Sequence, residues 1–209
     1  MPPQRALLML SGGIDSAYCL YDALRGGRDV HAHHVHLINR QGRAGPEGEA
    51  VVNILRWLDA QNLPGSYTLT NSVFDYGDVR YLSRDAAVWS FMAGIVLADR
   101  QRYGDIHSII VPRHLGAFAH ERNPAAAAAL SDRYIKTFIR ALTQREVVIE
   151  LPIGRMTKDQ VVAAMPTGLL RLCWWCRQPA NARRRCGRCI TCKAVDPALR
   201  RYHPELVVA

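Results

Sequence analysis

Two groups of residues have the types and spacing that chemistry can use. The first is Ser11-Gly12-Gly13-Ile14-Asp15-Ser16, which follows the apolar run of residues 5–10. A phosphate group needs N–H donors at short range. Glycines let the main chain approach it, and the start of a following helix adds donors and positive potential. The hydroxyls of Ser11 and Ser16 add further donors. Asp15 only accepts, so it belongs beside an anion only if it caps the helix or meets Mg²⁺. A simple turn with Ser11 or Asp15 as helix cap explains the residues equally well. The spacing is neither that of the Walker loop nor that of the dinucleotide glycine fingerprint.

The second group is Cys176, then Cys186-Gly187-Arg188-Cys189-Ile190-Thr191-Cys192. Cys-x-x-Cys turns fold both sulfurs to one side, and Zn²⁺ takes four such thiolates tetrahedrally, with no vacancy, in a structural site. Cys173 is a fifth candidate, either spare or a substitute, and the spacing does not decide which. Cys19, the sixth cysteine, stands alone. With no secretory signal at Met1–Leu10, clustered cysteines point to metal before disulfides, and free thiols are the remaining reading.

The elements around these groups alternate. Residues 5–10 read as a buried strand, Asp15–Leu24 as a helix stopped by Gly26-Gly27, and Asp29–Leu37 as a second strand. This βαβ start implies a parallel sheet with helices on its faces. Asn39–Gly48 reads as a loop, Glu49–Gln61 as a helix, Ser66–Thr70 as a strand and Ser83–Arg102 as a long helix. His107–Val111 is a fourth strand. The alanine run 125–129 with Ser131–Thr143 is helical, Glu146–Pro152 a last strand or loop, and Thr157–Met165 a helix capped by Thr157. Arginine, cysteine and tryptophan then change the composition. The expected division is a 1–169 α/β domain and a small 170–209 zinc-binding module built on four cysteines.

The 209 residues carry 27 basic and 18 acidic side chains, a net charge of +9 that favours anionic partners such as nucleotides, phosphates or nucleic acid. Of the basic residues only three are lysine, namely Lys136, Lys158 and Lys193, a bias that base composition can produce without functional demand. No apolar stretch approaches the roughly 18 residues that span a bilayer, so a cytoplasmic location without membrane contact is expected.

The S-G-G-x-D-S string resembles the pyrophosphate loop of the N-type ATP pyrophosphatases, the PP-loop superfamily, which cleave ATP between its α and β phosphates to adenylate a substrate. The resemblance implies a Rossmann-like, adenine nucleotide alpha hydrolase-like core, with Ser11, Gly12, Gly13, Asp15 and Ser16 on ATP and its Mg²⁺. Loop and cysteines together resemble the 7-cyano-7-deazaguanine synthase (QueC) family. Its L-x-x-T-W-S-C segment is matched at Trp174 and Cys176 of the stretch 170–176, and its C-G-x-C-x-x-C segment by residues 186–192. This makes Cys176, Cys186, Cys189 and Cys192 the favoured Zn²⁺ ligands. Residues 151–158 resemble the family's P-L-x-x-x-T-K stretch, which gives Lys158 a place near the ATP phosphates. Leu82-Ser83-Arg84-Asp85 resembles its P-x-R-N, which suggests Arg84 as another phosphate contact.

The middle departs from that family. Its D-Y-G-Q-R-H segment is replaced by residues 37–43, and the segment that shapes its base pocket by residues 118–123, an alanine run and 131–134. His114, His120, Glu121 and Asp132 are candidates for an altered pocket, with solvation or capping as the plainer role. His31, His33, His34 and His36 are read as structural, and Cys19 as a small buried residue. The resemblance implies an AMP-forming carbon–nitrogen ligase that adenylates 7-carboxy-7-deazaguanine and amidates it, giving the amide and then the nitrile, as in queuosine biosynthesis.

Three other readings remain. A QueC-like enzyme of an antiviral operon would conjugate the activated deazaguanine to a protein amine. A tRNA-thiolating relative would need a catalytic cysteine outside the metal cluster, where only Cys19 is available. A non-enzymatic zinc-stabilised nucleic-acid module would use Arg183–Arg185. A homodimer is compatible with all of these, and neither it nor a nucleic-acid partner is settled by the residues.

Overall fold

The computed structural model describes residues 5–79, 85–179, 181 and 184–207. Five strands, β1 (Ala6–Met9), β2 (Asp29–Ile38), β3 (Ser66–Asp75), β4 (Ser108–Ile110) and β5 (Val148–Glu150), form one sheet in the order β3-β2-β1-β4-β5. Every pairing is parallel. Parallel strands need crossovers, and here helices supply them: α1 (Ile14–Arg25), α2 (Ala44–Asp59), α3 (Asp85–Ala98), α4 (Arg100–Tyr103) and α5 (Pro124–Thr143), while α6 (Lys158–Ala164) comes after the last strand. Two more, α7 (Thr167–Leu172) and α8 (Ile190–Tyr202), follow the sheet. The architecture is the Rossmann-like α/β sandwich that the sequence implies.

β1 lies at the centre and is apolar on both faces, as a strand covered by two helical layers must be. Ala6, Leu8 and Leu10 point into one layer with α1, α2, α6, α7 and α8. Leu7 and Met9 point into the other, against Ala93, Val96 and Leu97 of α3 and Ile135 and Ile139 of α5. The cysteine segment shares the first core: Cys173, Trp175, Cys176, Cys189, Cys192, Val195 and Leu199 are buried in the same cluster as Ile14, Ala17 and Ile54.

Three expected boundaries move. α2 begins at Ala44, inside the stretch read as a loop from its glycines. Pro46 falls in the first turn, where a missing N–H costs nothing, and Gly48 sits beside His36 in ordinary contact. β3 runs to Asp75 rather than Thr70 because it pairs with β2 in unbroken register from Asp29↔Ser66 to Ile38↔Asp75. The long helix over 83–102 is interrupted at Asp99, whose carboxylate accepts from the N–H of Arg102 and starts α4 anew.

Among the described residues no helix is long and apolar enough to cross a membrane.

Candidate active site

In a doubly wound sheet, ligands bind beyond the carboxyl ends of the strands where the strand order reverses. Here that point lies between β1 and β4, since chain order runs outward to β2 and β3 on one side and to β4 and β5 on the other. Ser11–Gly13 leaves β1 at this place, and Pro112–His114 leaves β4. Between them opens a cavity of about 400 Å³, lined among others by Ser11, Gly13, Asp15, Ser16, His114 and Lys158.

The loop is built for close approach. Gly12 has φ +77°, and a Cβ there would stand 2.6 Å from the carbonyl oxygen of Glu47, so only glycine fits between β1 and α2. The N-cap of α1 is Gly13, and no side chain caps the helix, which decides against the reading with Ser11 or Asp15 as cap. The first-turn N–H groups have no intrahelical acceptor, and they border the cavity. Ser11 and Ser16 are joined through their hydroxyls at 3.0 Å, and the Gly13 N–H donates to Ser11 Oγ at 3.2 Å. Ser16 Oγ donates back to Gly13 O at 3.1 Å, which holds the turn shut.

Lys158 comes from the far side. Thr157 and Gln160 form a reciprocal capping box that sets the start of α6, and Lys158 is its first residue. Its Nζ donates to Asp15 Oδ1 at 2.5 Å and to Oδ2 at 2.6 Å. The structure thus gathers Ser11, Gly12, Gly13, Asp15, Ser16 and Lys158 at one place. Arg84 lies outside the described residues, as does Arg183 of the basic run. His114 also faces this cavity; burial, with the Lys158 charge adding, lowers its pKa, so its ring is neutral at pH 7.

A charge network not singled out in the sequence borders the loop. Arg43 Nη1 donates to Glu47 Oε1 and Nη2 to Asp85 Oδ1, each at 2.7 Å, and Arg177 donates to Asp85 Oδ2. Burial pushes the Glu47 carboxyl above its ordinary value, and the Arg43 charge opposes that. The four-residue spacing of Arg43 and Glu47 is a helical ion-pair signal, hidden because the stretch reads as a loop. Next to the network, Met9, Val35, Leu37, Val88, Trp89 and Phe118 surround an apolar cavity of about 330 Å³. A third cavity, of about 570 Å³, is lined by Tyr134, Gln178, His120 and Glu121. Asp132 is held at 2.6 Å by Arg113.

The sulfurs of Cys176, Cys186, Cys189 and Cys192 all lie within 4.8 Å of one another. The Cys186 N–H donates to Cys176 Sγ and the Cys189 N–H to Cys186 Sγ, both at 3.2 Å. Four convergent sulfurs fit a metal ion with no open position. Cys173 stands apart: its thiol donates to Leu169 O at 3.4 Å, and burial raises its pKa. Cys19 is buried in α1, its thiol pushed up by burial and by Asp15. His31 and His33 each bridge two hydroxyls of β3, from Thr68, Thr70 and Ser72.

No family model and no curated protein matches the chain. Among solved structures it is similar to the U34-tRNA thiolase NcsA from Methanococcus maripaludis with its [4Fe-4S] cluster, at 14% identity and a TM-score of 0.49, over 97% of this chain and 67% of that one. It is also similar to NMN synthetase from Francisella tularensis, at 13% identity and a TM-score of 0.43, over 100% of this chain and 89% of that one.

Proposed function

We propose that the protein is an ATP-dependent adenylating enzyme of the PP-loop type, acting on the carboxylate of a 7-deazaguanine. The observation that carries this reading is the uncapped loop Ser11–Ser16, paired through Asp15 to Lys158, at the carboxyl edge of a parallel sheet where its strand order reverses. Backbone N–H groups and two hydroxyls receive the β and γ phosphates, and Lys158 turns from Asp15 toward their oxygens. Asp15 would hold Mg²⁺ beside the triphosphate, and the ion would neutralise part of its charge. A carboxylate oxygen of the acceptor attacks the α-phosphorus, the bond to the bridging oxygen breaks, and pyrophosphate leaves. An amine then attacks the acyl carbon and AMP leaves with the bonding electron pair, giving the amide. Catalysis rests on positioning and on charge stabilisation, and no side-chain nucleophile takes part.

The four cysteines would hold Zn²⁺ as a structural ion, since all four positions are taken by protein sulfur. Cys19 is buried with a raised pKa and lacks the exposed thiolate that sulfur transfer needs, which weighs against a thiolating reading.

The test gives the zinc-loaded protein Mg-ATP, 7-carboxy-7-deazaguanine and ammonium, and follows AMP, pyrophosphate and product masses. AMP release in step with an amide or nitrile supports the reading. AMP that never rises above the control lacking the carboxylate overturns the substrate.

A further inference from the structure

The four-cysteine cluster and the phosphate loop are joined by the residues on either side of Cys176. On one side, the Trp174 N–H donates to the carbonyl oxygen of Gly12 at 2.9 Å. On the other, Arg177 reaches Asp85, which also holds Arg43, which in turn holds Glu47. The Glu47 carbonyl oxygen closes the circuit, because it is the atom against which Gly12 is packed. Gly12 is therefore clamped between α2 and segment 174–177, and the two arms of the clamp end at Trp174 and Arg177, two residues before and one after Cys176.

We infer that Trp174 and Arg177 are positioning residues of the phosphate loop, so that metal bound by the four cysteines and a triphosphate bound at Ser11–Ser16 strengthen each other's binding. The inference rests on the phosphate-binding reading of the loop given above. The physical reason is shared order. Four thiolates drawn around one cation fix Cys176, and with it the directions of the Trp174 N–H and the Arg177 guanidinium. Without the cation the four sulfurs lose their common partner, and the segment is held only by its core burial and the Trp174 bond to Gly12. A loop whose donors are already aimed loses less freedom on taking up the anion, and by linkage the anion must return the same factor to the metal. Arg43 and Glu47 are buried and have little alternative solvation, whereas Asp85 and Arg177, the link to the cysteine segment, are partly exposed.

The experiment uses the full zinc-loaded chain and the α,β-methylene analogue of ATP with Mg²⁺. Two quantities are read: analogue binding by calorimetry, and the rate at which zinc is lost to a coloured chelator. Saturating analogue is expected to slow zinc loss by roughly five-fold or more, the lower range of ordinary coupling between sites. Arg177→Gln is expected to keep zinc at one ion per chain, to weaken analogue binding and to remove most of the protection. Arg177→Lys is expected to restore part of it, and Asp85→Asn to reproduce the Arg177→Gln loss from the other partner. If the analogue binds the unaltered protein and zinc loss is unchanged, or if Arg177→Gln and Asp85→Asn keep full protection, the coupling is overturned while the phosphate site stands. If the analogue does not bind the unaltered protein, the phosphate-site reading falls and the coupling with it.

Discussion

The ammonium of Lys158 lies 2.5 and 2.6 Å from the two carboxylate oxygens of Asp15, a residue 143 positions earlier in the chain. The pair ties the loop after β1 to the start of α6 at the mouth of the cavity. Lys158→Gln is expected to lower AMP formation by about 100-fold or more, the scale for losing one charge-stabilising donor in a transition state. Because the pair is partly exposed, folding stability should change by only about 1 kcal/mol. Steady-state AMP assays beside thermal unfolding check both halves, and full activity in Lys158→Gln would remove the lysine from the mechanism.

Gly12 and Gly42 both have positive φ, but only Gly12 is enclosed, and nothing lies within 4 Å of a Cβ at Gly42. Gly12→Ala is expected to cost about 2 kcal/mol or more and to abolish nucleotide binding, since the loop must move off the Glu47 carbonyl. Gly42→Ala is expected to cost about 1 kcal/mol and leave binding intact. Denaturant unfolding and calorimetric titration of the two variants give the comparison.

Burial lowers the pKa of both His31 and His33 to about 4, below the ordinary histidine value of 6.5. Between those values the unfolded chain takes up protons that the folded chain refuses, so stability falls as pH drops from about 6.5 to about 4 and is flat above. Each histidine contributes on the order of 2 kcal/mol to that slope. His33→Gln is expected to flatten it by about half. Unfolding midpoints measured from pH 4 to 8 check the sign, and a midpoint that rises on acidification would contradict it.

Cys189→Ala is expected to lose the metal and lower the unfolding midpoint by roughly 10 °C, whereas Cys173→Ala should keep one metal per chain. Cys173 spends its thiol on Leu169 O, outside the sulfur cluster. Elemental analysis of the two purified variants settles the ligand set and, with the absorption spectrum, distinguishes zinc from an iron–sulfur cluster.

The strand–loop–helix of residues 6–25 is legible in the sequence because its signals are local: an apolar run, two glycines, then a period of 3.6. The Thr157 cap is legible for the same reason, through Gln160 three positions later. The start of α2 is not, since Gly45, Pro46 and Gly48 argue against a helix and only the contacts of Arg43, Glu47 and His36 with distant elements outweigh them. The extent of β3 is likewise set by its partner strand, since Asn71–Asp75 carry no period that marks them as strand.

What the sequence alone determined is what neighbours along the chain can express: the alternation of strands and helices, the glycine turn at Ser11–Ser16 between strand and helix, and the spacing of Cys186, Cys189 and Cys192. The resemblance already favoured Cys176 over Cys173, and the fold brings its sulfur to the other three; the tertiary structure alone decided that Lys158 meets Asp15 and that Arg177 reaches Arg43 through Asp85. Those choices join residues far apart in the chain, and only the folded sheet, with the burial and ion pairing it imposes, brings them within bonding distance.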